Sequence, residues 1–281
     1  MAKTALLLLV CLLGALQAQT KKTVFLITDG EGVAGICRQE QVETTNPELR
    51  ALLTAEINAA VDGLLAGGAD EVIVWDGHAN SSTLSAQTIH PKAKLVIGGL
   101  GRTMLLERGF SAIGFIAQHS KAGVRSGIMA HSYSSLGIQN IRLNGKPVGE
   151  TETRTMLAGW FNTPVILLTG DVKAAEEMKA LVPEAETAAV KEGLARYVCL
   201  SMSAAAAQES IREAARRAAA KIGKIQPYKI SGPVTIEIEY TTRNSLRIDA
   251  AAALGGEVLD DRTIRYAGKD FLDAWTKARM W

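Results

Sequence analysis

Cysteine is scarce. Of three residues, Cys11 lies in an apolar leader, which leaves Cys37 and Cys199. Two cysteines make no disulfide framework, and neither has the spacing of a thiolate metal site; they form one bridge in an oxidising compartment or are simply buried. Charge of one sign is lacking too. With 31 basic residues against 29 acidic ones, nothing points to nucleic acid or another polyanion as partner. Beyond the leader no apolar run is long enough to cross a bilayer. No Gly-x-Ser-x-Gly elbow is present, which removes one common hydrolase class. Internal repeats are absent, and Ala204 to Ala207 is the longest low-complexity run.

The first 19 residues read as a secretory signal: Lys3 gives the positive start, Ala5 to Leu13 the apolar core, and Ala15 to Gln19 small or polar residues with a cut after Ala18. An uncleaved anchor is the alternative. The large Val10 before Cys11 argues against lipoprotein processing. The expectation is a periplasmic or secreted protein with no stable membrane insertion once the signal is removed. What remains, about 260 residues, suits one large α/β domain or two small ones.

What is present is organised around Thr23 to Gly35. Val24 to Thr28 is a buried-strand pattern ending in Asp29-Gly30-Glu31-Gly32. A strand thus delivers two carboxylates at its carboxyl end, where open α/β sheets bind ligands. Gly30-x-Gly32-x-x-Gly35 also matches the dinucleotide fingerprint. However, Asp29 and Glu31 would face a pyrophosphate with like charge, and the polar run Arg38 to Gln41 opens no apolar helical period. A cation suits this loop better.

The pattern repeats. Pro47 to Leu65 has helical apolar spacing, Glu71 to Trp75 is a strand ending in Asp76-Gly77-His78, and Lys94 to Ile97 is a third strand. Ala112 to Ala117 runs into Gln118-His119-Ser120, and Pro164 to Leu168 is a fifth buried strand. Asn144-Gly145 marks a two-residue hairpin. The fold class expected is α/β, a mainly parallel sheet with flanking helices over 20–200. A smaller α+β portion follows over 201–281, with a helix over Ser203 to Ile222 and an alternating strand over Val234 to Tyr240.

Three strand exits hold an acid, a histidine or both, which implies convergence on one site. Asp29, Glu31, Asp76, His78, His119, His131 and Glu150 form an imidazole and carboxylate set suited to zinc, or to manganese or cobalt. Two metals bridged by a carboxylate fit the Asp29-x-Glu31 pair. Each residue has a duller reading: Asp29 and Glu31 as turn residues, His78 as a cap, His119 as a core histidine, Glu150 as a surface residue no better placed than Glu152. His131 could be a ligand, an acid/base or a loop histidine; Asp76 could orient His78 from behind; His90, before Pro91, reads as structural. A metal phosphoesterase and an exported solute-binding protein are the rival functions.

Asp29-x-Glu31-Gly32, Asp76-x-His78, His119 after a strand, Gly127-x-Met129-x-His131-Ser132 and Pro147-Val148-Gly149-Glu150 occur in the order and approximate spacing of a known family. The chain resembles the M55 peptidases, the DppA-type D-aminopeptidases, over nearly its whole length after the leader. The resemblance implies a metallo-aminopeptidase with two zinc ions that releases N-terminal D-amino acids from short peptides such as D-Ala-D-Ala. It implies Asp29, Glu31, His78, His119 and Glu150 as metal ligands and His131 as the catalytic group that stabilises or shuttles charge. It further implies a homo-oligomeric ring, a decamer, with subunit contacts from the C-terminal portion. Gly30 and Ala117-Gln118 depart from the family's usual residues, and both changes could reshape the substrate pocket.

Overall fold

The computed structural model describes residues 21–243 and 245–280; the leader read as a signal lies outside the described residues. β1 (Thr23–Thr28) is buried almost throughout, as a central parallel strand must be. The chain then enters α1 (Pro47–Ala66), opened by Asn46, whose side chain accepts from the Glu48 and Leu49 amides, with Pro47 at the first helical position. α1 buries Leu49, Leu53, Ile57, Ala60 and Leu64, one face at helical spacing. β2 (Glu71–Trp75) and β3 (Ala93–Val96) lie on one side of β1, and β4 (Ala112–Gln118) lies on the other.

Next come β5 (Ile138–Leu143), β6 (Lys146–Pro147), α2 (Glu150–Trp160), β7 (Val165–Asp171), α3 (Val172–Leu181), β8 (Glu186–Ala195), β9 (Val198–Ser201) and α4 (Ala204–Ala219). The last elements are β10 (Val234–Tyr240), α5 (Ser245–Ala253), β11 (Glu257–Val258), β12 (Thr263–Gly268) and α6 (Phe271–Ala278). The main sheet runs β3-β2-β1-β4-β7-β8-β9, parallel except for the β8–β9 pair. The second, β11-β12-β10-β5-β6, is antiparallel. The α/β class with a smaller antiparallel portion is therefore as expected.

The partition along the chain is less simple than a division near residue 200. β5 and β6 pair with β10 in the second sheet although they precede that point. α4, which follows it, packs on α1 of the main layer. A Cβ at Gly63 of α1 would lie 2.1 Å from the Arg212 carbonyl of α4, so the missing side chain is what allows the two backbones to approach. The Asn144-Gly145 hairpin forms as its sequence demands, both residues having positive φ (49° and 78°).

Strand order reverses at β1, with β2 to one side and β4 to the other. That is the switch point at which a crevice opens outside the carboxyl ends of parallel strands. The exits of β1, β2 and β4 all face it.

Candidate metal centre

The loop leaving β1 is fixed by its backbone. The Asp29 amide donates to the Ile116 carbonyl and the Gly32 amide to the Ala117 carbonyl, both in β4, at 2.9 and 2.8 Å. A Cβ at Gly32 would lie 2.2 Å from the Ala117 carbonyl carbon. This glycine thus serves close backbone packing, not the approach of a pyrophosphate. On the other side Lys191 of β8, 3 % exposed, donates from Nζ to the Glu31, Val33 and Ile36 carbonyls. Its three donors meet three carbonyls of one turn. Glu56 of α1 accepts from the Ala34 amide at 2.8 Å. Burial holds the Lys191 pKa down at about 8, against the opposing charge of Glu56.

Lys191→Met is expected to lower unfolding free energy by about 3–5 kcal/mol, since it leaves three buried carbonyls without their donor, and to weaken metal retention at Glu31. Denaturant unfolding and metal analysis check this; unchanged values in both would show that the loop is held by other contacts.

From these supports Asp29, Glu31, His78, His119, His131 and Glu150 meet. His78 Nδ1 lies 3.1 Å from Asp29 Oδ1 and 3.3 Å from Glu31 Oε2. His119 Nε2 lies 3.5 Å from Asp29 Oδ2 and 3.6 Å from Glu150 Oε1, and His131 Nε2 lies 3.8 Å from Glu150 Oε1. The His119 and His131 rings stack with centroids 4.0 Å apart. Each histidine uses its other nitrogen on a backbone carbonyl: His78 Nε2 to Val42 (2.7 Å), His119 Nδ1 to Ser120 (2.9 Å), His131 Nδ1 to Met129 (2.8 Å). A carbonyl only accepts, so it fixes the proton on that nitrogen. The opposite nitrogen is left with its lone pair toward the carboxylates, which is how metal-ligating histidines are oriented.

The charges suit a cation. Burial and the charge of Glu31 push the Asp29 carboxyl up to about 6. Burial would raise Glu31 as well, but His78 and the other two histidines outweigh it and hold it well below the carboxylate range. Burial lowers His78, yet its hydrogen bond to Asp29 and the charges of Glu31 and Asp29 push it up to about 12; His119 is pushed up to about 10 in the same way, by Glu150 first. Without an ion the carboxylates draw protons onto His78 and His119; a divalent ion at the same nitrogens would supply that charge instead. Glu31 Oε2 is buried without a hydrogen-bond partner. The ligand atoms of Asp29, Glu31 and His119, and those of His119, His131 and Glu150, lie within 4.8 Å of one another. Donor type, orphaned oxygen and charge all fit zinc.

Glu150 opens α2, where the helix dipole favours a carboxylate. Its Oε1 accepts from the Tyr133 amide at 2.9 Å and its Oε2 from Arg154 Nη2 at 2.9 Å. Burial raises Glu150, but the Arg154 charge and then His119 hold it far below the usual range. Glu152, indistinguishable by spacing, faces elsewhere and accepts from the Gly149 amide and Lys121 Nζ. Asp76 does not touch His78. Its Oδ2 accepts from the Thr83 and Leu84 amides at 2.7 and 2.8 Å. It therefore closes the loop that carries His78, while the Val42 carbonyl orients the ring. His90 stands apart, 3.0 Å from Asp62. Sequence reasoning missed Arg154, whose one signal is its place four residues after Glu150 on the same helix face. The site floors a cleft of about 720 Å³ lined also by Trp75, Tyr133, Leu100 and Met280.

The family model Peptidase_M55, described as D-aminopeptidase, matches residues 23–280. The chain is 27% identical over 260 residues to a D-aminopeptidase of Bacillus subtilis (strain 168), covering 90% of this chain and 93% of that one. The structure is similar to that of the Zn-dependent D-aminopeptidase DppA from Bacillus subtilis, a self-compartmentalizing protease. The TM-score is 0.83 at 26% identity, over 91% of this chain and 95% of the other.

Proposed function

Because the chain belongs to the Peptidase_M55 family of D-aminopeptidases, we propose that this peptidase is a zinc-dependent aminopeptidase that acts on short peptides with an N-terminal D-residue such as D-alanine. One observation carries the reading: three histidines, each pinned by a backbone carbonyl, turn their free nitrogens on three buried carboxylates. Asp29, Glu31, His78, His119 and Glu150 would hold two zinc ions. Bound zinc would supply a Lewis acid for the scissile carbonyl and a lowered pKa for an attacking water.

The chain's own residues do the rest. His131 lines the cleft, and its Nε2 carries the lone pair while Nδ1 is held by Met129. It takes the proton from the attacking water and returns it to the leaving amine. Trp75, Leu100 and Met280 give the cleft part of its apolar lining. We read the enzyme as exported, consistent with the leader sequence and with the Cys37–Cys199 disulfide, whose Cα atoms are 6.1 Å apart. We also read it as a homo-oligomer, the decamer that the family resemblance implies, with apolar side chains such as Leu194, Val198 and Leu200 exposed on the β8–β9 hairpin.

Metal content by mass spectrometry on untagged protein, followed by assay of D-Ala-D-Ala against L-Ala-L-Ala, tests the function. Roughly two zinc-like ions per chain and a preference for the D-dipeptide are expected. Protein that stays metal-free and inactive after zinc or manganese is added would overturn it.

A further inference from the structure

Among the described residues lining the cleft, Arg154 is the one with a permanent positive charge. It is 6 % exposed, and its guanidinium lies 5.7 Å from the Trp75 ring centroid and 5.5 Å from that of Tyr133. The two aromatic faces hold it in place. Its Nη2 pairs with Glu150, but Nε and Nη1 are buried with no hydrogen-bond partner. Folded proteins rarely leave such donors unmade, because a buried, unpaired polar group keeps its full desolvation cost. The carboxylate that balances Arg154 is also turned toward His119 and His131. Were Glu150 shared with a metal, the guanidinium would have its charge less fully balanced as well as two donors unmade.

We propose that Arg154 receives the α-carboxylate of the substrate, so that this cleft selects dipeptides with a free carboxyl terminus. The proposal rests on the aminopeptidase reading and adds the feature by which the leaving residue is recognised. A guanidinium is suited to a carboxylate in charge, planarity and donor number. In a dipeptide the carboxylate carbon is only two bonds beyond the scissile nitrogen, and each further residue moves it outward by about 3.3–3.6 Å. A guanidinium touching a metal-site carboxylate is therefore near enough to the metal centre to meet the terminus of a dipeptide. The neighbouring carboxylates Asp29, Glu31 and Glu43 would repel the same group.

The test uses an uncleavable dipeptide, D-Ala-D-Ala with its peptide bond reduced to CH2–NH, as the free acid and as the carboxamide, titrated by calorimetry into zinc-loaded protein. The free acid is expected to bind about ten- to a hundredfold more tightly than the amide, as a charge-assisted hydrogen bond confers. Arg154→Gln is expected to bring the two within about twofold, and Arg154→Lys to restore part of the gap. Equal binding of acid and amide by the wild-type protein would overturn the proposal, and so would an undiminished gap in Arg154→Gln. Wild-type protein that prefers the acid but cleaves no D-alanyl peptide would keep the carboxylate site and defeat the aminopeptidase reading instead.

Discussion

Glu31→Ala is expected to fold, to retain little metal, and to lose at least about a thousandfold in kcat/KM on a D-alanyl dipeptide, a transition-state loss of ~4 kcal/mol. The loop survives the change because its position depends on backbone groups: Lys191 holds the Glu31 carbonyl and β4 holds the Gly32 amide, and neither contact uses the carboxylate. What disappears is Oε2, buried, without a hydrogen bond and 3.3 Å from His78 Nδ1. His78 then faces Asp29 alone at 3.1 Å. Glu31→Gln separates charge from shape, since it keeps the volume and one oxygen but removes the anion; it should fail nearly as badly. Metal analysis and steady-state kinetics on the same preparations check the prediction. A Glu31→Ala protein with full metal and full turnover would remove Glu31 from the ligand set.

How far this site is legible in sequence depends on where each contribution comes from. β1, β2 and β4 are buried parallel strands and so are written as unbroken apolar runs. The polar residues that end them, Asp29 and Glu31, His78, and His119, are therefore visible as strand exits, and their convergence follows from the parallel order. α1 announces itself by Asn46-Pro47 at one end and Gly67 at the other. β8, by contrast, reads Glu-Thr-Ala-Ala-Val-Lys-Glu-Gly-Leu-Ala, too small and too charged for a strand pattern, and it is a strand because β7 pairs with it. Lys191 in its middle looks like a surface charge. It is buried because three carbonyls of a distant loop converge on it, an arrangement no local pattern encodes. The same holds for the Val42 carbonyl behind His78 and for Asp76, whose Oδ2 accepts from the Thr83 and Leu84 amides. Interleaving of the two sheets through β5 and β6 is likewise a tertiary result, since a hairpin signal says where the chain turns and not which sheet it joins.

His131→Ala is expected to keep its metal and lose about a hundred- to ten-thousandfold in kcat, the range for removal of a general acid–base group, with KM little changed. The ring stacks on His119 at 4.0 Å and lines the cleft, and its Nε2 lies 3.8 Å from Glu150, beyond hydrogen-bond reach. Burial and then the positive charge of His119 hold its pKa below the ordinary histidine value. In the neutral ring the Met129 carbonyl keeps the proton on Nδ1 and leaves an open lone pair on Nε2. A base in that form accepts a proton without first losing one. The competing arrangement is also written in the geometry, because the ligand atoms of His119, His131 and Glu150 are close enough to hold an ion. Metal analysis separates the two: if His131→Ala loses metal in step with turnover, His131 is a ligand, and if turnover is unchanged it has no part in proton transfer. Metal retained at full stoichiometry with turnover lost leaves proton transfer at Nε2 as its role, since the stacked His119 and the carboxylates of Asp29 and Glu150 would then be enough to hold the ion on that side of the site.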